Sequence, residues 1–152
     1  MKIFIKIIIL LLFLFLSIKA HSACTVTTTG INYGTYDVFS TNPTDSTGAI
    51  TITCNEAPPA IVTISIGPSP NSGRFNPRMM RHSSLGDLLN YNLFTDASRT
   101  VIWGDGTQGT STVIRRVTRG RPWNATVYGR IPAGQDIPMG QYGETLTVTI
   151  SW

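Results

Sequence analysis

From Thr145 to Trp152 the chain alternates hydroxyl and apolar side chains without a slip, and Trp152 is the last residue of the sequence. A period of two residues places Leu146, Val148, Ile150 and Trp152 on one face and the Thr/Ser set on the other, as in an antiparallel sheet covered on one side. Burying four such side chains contributes roughly 6 to 12 kcal/mol, comparable to the net stability of a whole domain. An apolar edge strand of this kind needs a neighbour, from its own chain or from another.

The same alternation recurs upstream. Cys24 to Thr29 and Ile31 to Tyr36 read as strands on either side of Gly30, followed by a Ser/Thr/Asn/Asp/Pro/Gly loop from Ser40 to Gly48. Ala49 to Cys54 places Ile50, Ile52 and Cys54 on one face, and Pro58-Pro59 turns the chain into Ala60 to Ile66, where Val62, Ile64 and Ile66 alternate with Thr63 and Ser65. Gly67 to Asn76 is too rich in Pro, Gly, Ser and Asn for a central strand. Leu88 to Thr95, Val101 to Trp103, Thr112 to Thr118, Trp123 to Ile131 and Glu144 to Trp152 complete the set, with no segment of helical period. Short strands at near-even spacing with turn residues between them predict an all-β sandwich.

The amino terminus has a different texture. Lys2 and Lys6 precede an uninterrupted apolar run from Ile7 to Leu16, followed by Ser17-Ile18-Lys19-Ala20-His21-Ser22-Ala23, the three-part layout of a secretory signal peptide. The run is short for a membrane span, which needs about 20 residues. Cleavage after Ser22 satisfies the small-x-small rule through Ala20 and Ser22, and cleavage after Ala23 is the alternative. A lipoprotein signal fits poorly, because His21 stands where leucine is expected before Cys24. Residues 1–22 are therefore expected to be a leader, and 23–152 a single domain large enough for a two-layer core. All three lysines leave with the leader, so nine arginines face eight carboxylates and the net charge falls from +4 to about +1. That balance provides no electrostatic case for nucleic acid or an anionic membrane.

Both cysteines, Cys24 and Cys54, follow the leader, and a lone pair in a small exported domain is expected to form one disulfide. Loop entropy for this spacing is worth about 3.7 kcal/mol. Metal or redox chemistry would need CxxC spacing or nearby His ligands, and neither is present.

Catalytic chemistry finds little footing. His82 is the one histidine after the leader, in Arg78-Met79-Met80-Arg81-His82-Ser83-Ser84, and reads as a solvated loop residue. A triad with Ser and Asp87 would have to assemble in space, without a Gly-x-Ser-x-Gly elbow. Asp96-Ala97-Ser98 and Asp105-Gly106-Thr107 resemble fragments of calcium loops but lack the spaced acidic ligands and terminal Glu, so they read as turns. Arg115, Arg116, Arg119 and Arg121 form the one local basic cluster, near Trp103, Trp123 and Tyr128. Neighbouring strand residues face opposite ways, so Arg115 and Arg116 cannot share a face, and a solvated edge that discourages aggregation is the expectation. Asn124-Ala125-Thr126 matches a glycosylation sequon by chance on this reading. The chain is expected to be no enzyme, with no cofactor, no metal and no small-molecule substrate.

Several blocks together carry a resemblance. Ala23-Cys24-Thr25-Val26, Tyr33-Gly34-Thr35-Tyr36, Asp45-Ser46-Thr47-Gly48, Ile52-Thr53-Cys54, the run from Leu89 to Thr100, Trp103-Gly104-Asp105-Gly106-Thr107, the run from Tyr128 to Gln135 and the final strand resemble the spore coat protein U domain family. That family includes the pilins of archaic chaperone-usher pili, and no single block would suffice for the match.

The resemblance implies an immunoglobulin-like sandwich that lacks its last strand. Its open groove would be filled first by a PapD-like periplasmic chaperone and then, at an outer-membrane usher, by the N-terminal extension of another pilin subunit, a case of strand addition to a sheet edge. Leu146, Val148, Ile150 and Trp152 would then form the edge where chaperone and subunit pair. The destination would be the cell surface, a pilus or the extracellular space, reached through the periplasm. Cleavage at residue 22 or 23 would leave no donor segment ahead of Cys24, which implies a terminal place in a fibre. A non-polymeric surface or coat protein is the alternative.

Overall fold

A computed structural model describes residues 24–55 and 60–152, so the expected leader and the Pro58-Pro59 turn lie outside the described residues. Nine strands follow in order: β1 Cys24–Thr29, β2 Thr44–Cys54, β3 Ala60–Ile66, β4 Arg78–His82, β5 Leu88–Phe94, β6 Val113–Val117, β7 Trp123–Ile131, β8 Tyr142–Gly143 and β9 Val148–Ser151. The described residues contain no helix. A six-stranded sheet runs β1-β2-β7-β5-β4-β8 and a three-stranded sheet runs β6-β3-β9. Every ladder is antiparallel.

The core lies where the two inner faces meet. Ile50, Ile52 and Cys54 from β2, Val62, Ile64 and Ile66 from β3, Leu89, Tyr91 and Leu93 from β5, and Ala125, Val127 and Ile131 from β7 are all buried at alternating positions. The pattern read as strands thus closes into a two-layer sandwich. Trp103 joins the layers: its backbone N–H donates to Leu93 O of the larger sheet at 2.9 Å, and its indole N–H donates to Ile64 O of the smaller at 3.1 Å. Cys24 and Cys54 are direct cross-strand partners and are bonded, with an S–S distance of 2.03 Å, so the edge strand β1 is held covalently to β2.

Arg78 makes the second tie between layers. It is fully buried on the inner face of β4, a position where the sequence shows no apolar residue. Its guanidinium donates to Asn92 Oδ1 at 2.8 Å, Trp103 O at 2.8 Å, Gly67 O at 3.0 Å and Ile66 O at 3.3 Å. The Phe75 ring lies 5.5 Å from the guanidinium carbon. Burial lowers its pKa from the ordinary guanidinium value, and the Tyr91 hydroxyl and Glu144 oppose that shift.

Four expectations change. Ile31 to Tyr36 is not a strand; it crosses the inner face of the larger sheet, where Ile31 and Tyr33 pack on the core. Glycines admit it: a Cβ at Gly129 would lie 2.2 Å from the Tyr33 hydroxyl oxygen, and one at Gly48 would lie 2.8 Å from Ile31 Cγ1. Second, Arg78–His82 is a strand, and His82 is buried, because both polar side chains occupy inward positions that an apolar pattern does not reveal. Third, β2 starts at Thr44, inside the expected loop, where Asp45 takes two hydrogen bonds from Arg130 of β7, at 2.7 and 2.8 Å. Those Arg130 bonds hold the Asp45 carboxyl below the usual carboxylate range. Fourth, the final segment pairs only over Tyr142–Gly143 and Val148–Ser151, and Val101–Trp103 contributes single bridges instead of a strand.

Candidate functional site

The departures at the end of the chain define the site. Strand β9 pairs with β3 on one side, and β1 pairs with β2 on one side, so each is the edge of its sheet. Leu146, Val148 and Ile150 share the inner face and pack against the core, yet all three are only half-buried. Trp152, expected on the buried face, is 52% exposed, and Val26 on the facing edge strand is 39% exposed. The physical reason is the same for all: among the described residues no strand covers this side of the sandwich.

Between the two edges lies an open groove of about 290 Å³. Thr28 to Ile31 form one wall and Glu144 to Leu146 with Val148 the other, over a floor that includes Ile50, Ile66, Met80, Leu93 and Val127. Its floor is apolar and its walls carry backbone edges, the chemistry that receives an extended peptide.

Glu144 anchors one end. Its Oε1 accepts from Ser69 Oγ at 2.5 Å and Asn71 Nδ2 at 3.1 Å, while Oε2 accepts from the Tyr91 hydroxyl at 2.5 Å. Burial and, next, the bond to Glu144 push the Tyr91 hydroxyl far above its ordinary pKa. A carboxylate fixed on both oxygens sets where the final segment starts and hence which of its side chains point inward. The signal was available: a lone acidic residue stands at the head of an otherwise uncharged strand. Beside it Tyr33 packs edge-on against Tyr91, with centroids 6.2 Å apart. Its hydroxyl is buried with no partner among the described residues, and burial raises its pKa.

A second feature sits where three loops leave the larger sheet at one end. Thr44 pairs with Ile131, which places loop 37–43 next to the segment after β7, and Tyr36 ties them by donating to Pro132 O at 2.9 Å. Asn90 N donates to Gln135 Oε1 at 2.8 Å, which brings loop 83–87 to the same end. Each loop carries one exposed apolar side chain: Phe39 at 91%, Leu85 at 63% and Met139 at 97%.

His82 clasps two of these loops. Its Nδ1 accepts from Ser84 N and Leu85 N, each at 3.0 Å, and its Nε2 lies 3.1 Å from Met139 O. The ring stands edge-on to Tyr142 with centroids 5.0 Å apart. Both nitrogens are committed to backbone groups, which leaves no serine or aspartate contact of the triad kind.

The remaining candidate residues occupy structural places. Asp96 accepts from Ser98 Oγ at 2.6 Å and Val101 N at 2.8 Å, and Asp105 accepts from Thr107 Oγ1 at 2.6 Å; these hydroxyl bonds, first among several, lower both carboxyl pKa values. Both are turn-forming residues. No cluster of three metal-ligating side chains occurs among the described residues. On β6, Arg115 faces Val62 and stacks over Trp123 at 5.4 Å, while Arg116 faces Ile61.

This arrangement can be set beside known proteins. The Spore Coat Protein U domain profile matches residues 11–149. The chain belongs to the spore coat protein U domain family. It is 32% identical over 130 residues to Protein U of Myxococcus xanthus, covering 80% of this chain and 71% of that protein. A solved chain in the complex of CsuC and CsuE, the chaperone and tip adhesion subunit of archaic chaperone-usher Csu pili of Acinetobacter baumannii, is 26% identical with a TM-score of 0.57. The likeness covers 86% of this chain and 40% of that one, so the family member described here spans two-fifths of its solved neighbour.

Proposed function

We propose that this protein is a pilus-type subunit, exported behind a leader over residues 1–22 or 1–23, whose groove between β1 and β9 takes up an extended strand from a partner. One observation carries the reading: the inner faces of two edge strands stay half-exposed around an apolar groove, with Val26 and Trp152 uncovered. The solved neighbour is a subunit held by its chaperone before assembly, which supports a PapD-like chaperone as the first occupant. Another pilin subunit, delivered at an outer-membrane usher, is the second. Main-chain hydrogen bonds to β9 supply affinity, and Leu146, Val148, Ile150 and Trp152 interleave with alternate side chains of the incoming strand to supply register. The activity is assembly and requires no cofactor.

Val148→Thr with Ile150→Thr keeps strand propensity while removing the apolar edge. Produced in a bacterial periplasm with a PapD-like chaperone, the unaltered protein should co-purify with it, and the double variant should be degraded. Equal recovery of both forms free of chaperone would overturn the reading, and would favour a non-polymeric surface or coat protein.

The three-loop end provides the contact face of such a subunit. Phe39, Leu85 and Met139 are held out on loops that His82, Tyr36 and Gln135 brace, an arrangement suited to an apolar surface. The triple variant F39S/L85S/M139S should lose most retention on an octyl matrix while melting within a few degrees of the unaltered protein. Unchanged retention would remove this part of the proposal.

A further inference from the structure

Away from the groove, the larger sheet has a second unpaired edge. Strand β7 pairs with β2 along its whole length, but with β5 only over Tyr128, Gly129 and Arg130. Strand β5 ends at Phe94 because Asp96 draws the chain into a turn, accepting from Val101 N at 2.8 Å and Thr100 N at 3.1 Å. Among the described residues, Trp123 to Val127 therefore has no partner strand on the side where β5 would have continued. A cleft of about 200 Å³ lies there, lined among others by Thr95, Val113, Trp123 and Ala125.

The inner side of this cleft combines apolar surface with one free cation. Trp103 and Ala125 are buried, and Trp123 and Val113 are half-buried. Val113 and Arg115 share one face of β6, and the Arg115 guanidinium lies 5.4 Å from the Trp123 centroid. Arg115 has no carboxylate within ion-pair distance among the described residues. An arginine on β6 guards that strand's own edge. The β7 edge, Trp123-Asn124-Ala125-Thr126-Val127, carries no charge and no proline, so the usual devices that keep a foreign strand away are missing from it. Its length matches the common strand length of about 5 or 6 residues.

We propose that this edge receives an extended acidic segment of a partner protein as an added strand. The segment lies antiparallel to β7 in line with β5, and the free main-chain groups of Trp123 to Val127 bond to it. Its side chains alternate between the two faces of the sheet. Those turned inward meet Val113, Trp123 and Arg115, which lie on that same side, so the segment needs apolar inward positions and one inward carboxylate to pair with Arg115. The outward groups of β7 take no part in this recognition, and Asn124 Oδ1 is already taken by Thr51 Oγ1 at 2.8 Å. The proposal is independent of the groove between β1 and β9.

Two capped peptides of about six residues test this, Thr-Val-Thr-Glu-Thr-Val and the same sequence with Lys in place of Glu. The protein without its leader should bind the Glu peptide severalfold more tightly than the Lys peptide at low salt, and the difference should shrink as salt rises. On binding, amide exchange should slow across Trp123 to Val127 and stay unchanged along β1 and β9. Arg115→Glu, a change at an exposed side chain, should invert the preference between the two peptides at unchanged melting temperature. No binding, equal binding of the two peptides by the unaltered protein, or a preference that the variant does not invert would each overturn the proposal and leave Arg115 as a guard of its own edge. Protection confined to β1 and β9 would overturn it as well, while leaving the reading of the groove intact.

Discussion

Arg78→Ala should unfold the domain or lower its stability by about 3 kcal/mol or more, because it leaves several buried acceptors without their donor. The guanidinium serves four acceptors, three of them backbone carbonyls, spread over both sheets: Gly67 O, Ile66 O, Trp103 O and Asn92 Oδ1. Each acceptor left buried without a donor costs about 1 to 3 kcal/mol, against a total stability of only about 5 to 15 kcal/mol. Arg78→Lys should rescue little, because one ammonium cannot span acceptors that a planar fork reaches together. Urea denaturation of the three proteins checks this. A loss below about 1 kcal/mol for the alanine variant, the median worth of an exposed ion pair, would show that the two layers do not depend on this tie.

Supplying a further strand along β9 should have the opposite effect. A variant extended past Trp152 by a flexible Gly/Ser linker and an alternating Val-Thr segment can lay that segment along β9 intramolecularly, which avoids the concentration cost of a separate peptide. A large apolar side chain gains roughly 1.5 to 3 kcal/mol on full burial. Completing the burial of Val26, Leu146, Val148 and Ile150, all now part-exposed, should therefore outweigh the ordering of the added residues. A net gain of about 3 kcal/mol would raise the melting point by roughly 10 °C for a domain of this size. The same extension with the apolar residues replaced by Ser should leave it unchanged. A sandwich already complete would show no difference between the two extensions.

How far the sequence discloses this structure depends on what occupies the inward positions. Where they are aliphatic, the reading matches the structure: Ala60–Ile66 and Trp123–Ile131 have the bounds expected of them. Where they are polar, it fails. Strand β4 points Arg78, Met80 and His82 inward, and only partners distant in sequence, such as Trp103 O and Met139 O, make that pattern stable. Ile31 to Tyr36 has a strand's composition, but its place on the inner face depends on Gly48 and Gly129, two glycines whose proximity arises only when β2 pairs with β7.

The groove was partly legible. Alternation from Leu146 to Trp152 marks a segment whose strand lies at a sheet edge, while Trp152, expected on the buried face, has no covering neighbour among the described residues. A single carboxylate such as Glu144 has no periodicity; its meaning comes from Ser69, Asn71 and Tyr91, brought to it by the fold.

Amide hydrogen exchange along β9 and β1 tests the central claim most directly. In the protein alone, the outward amides of Val148 to Ser151 and of Cys24 to Thr29 belong to edge strands and should exchange rapidly, faster than those of β2 and β7 inside the larger sheet. Once the alternating Val-Thr extension is present, both edges should become protected together, because a strand seated in the groove covers both. Protection of neither edge, with exchange across β9 and β1 the same as in the protein alone, would contradict the account of this groove as the seat of an incoming strand.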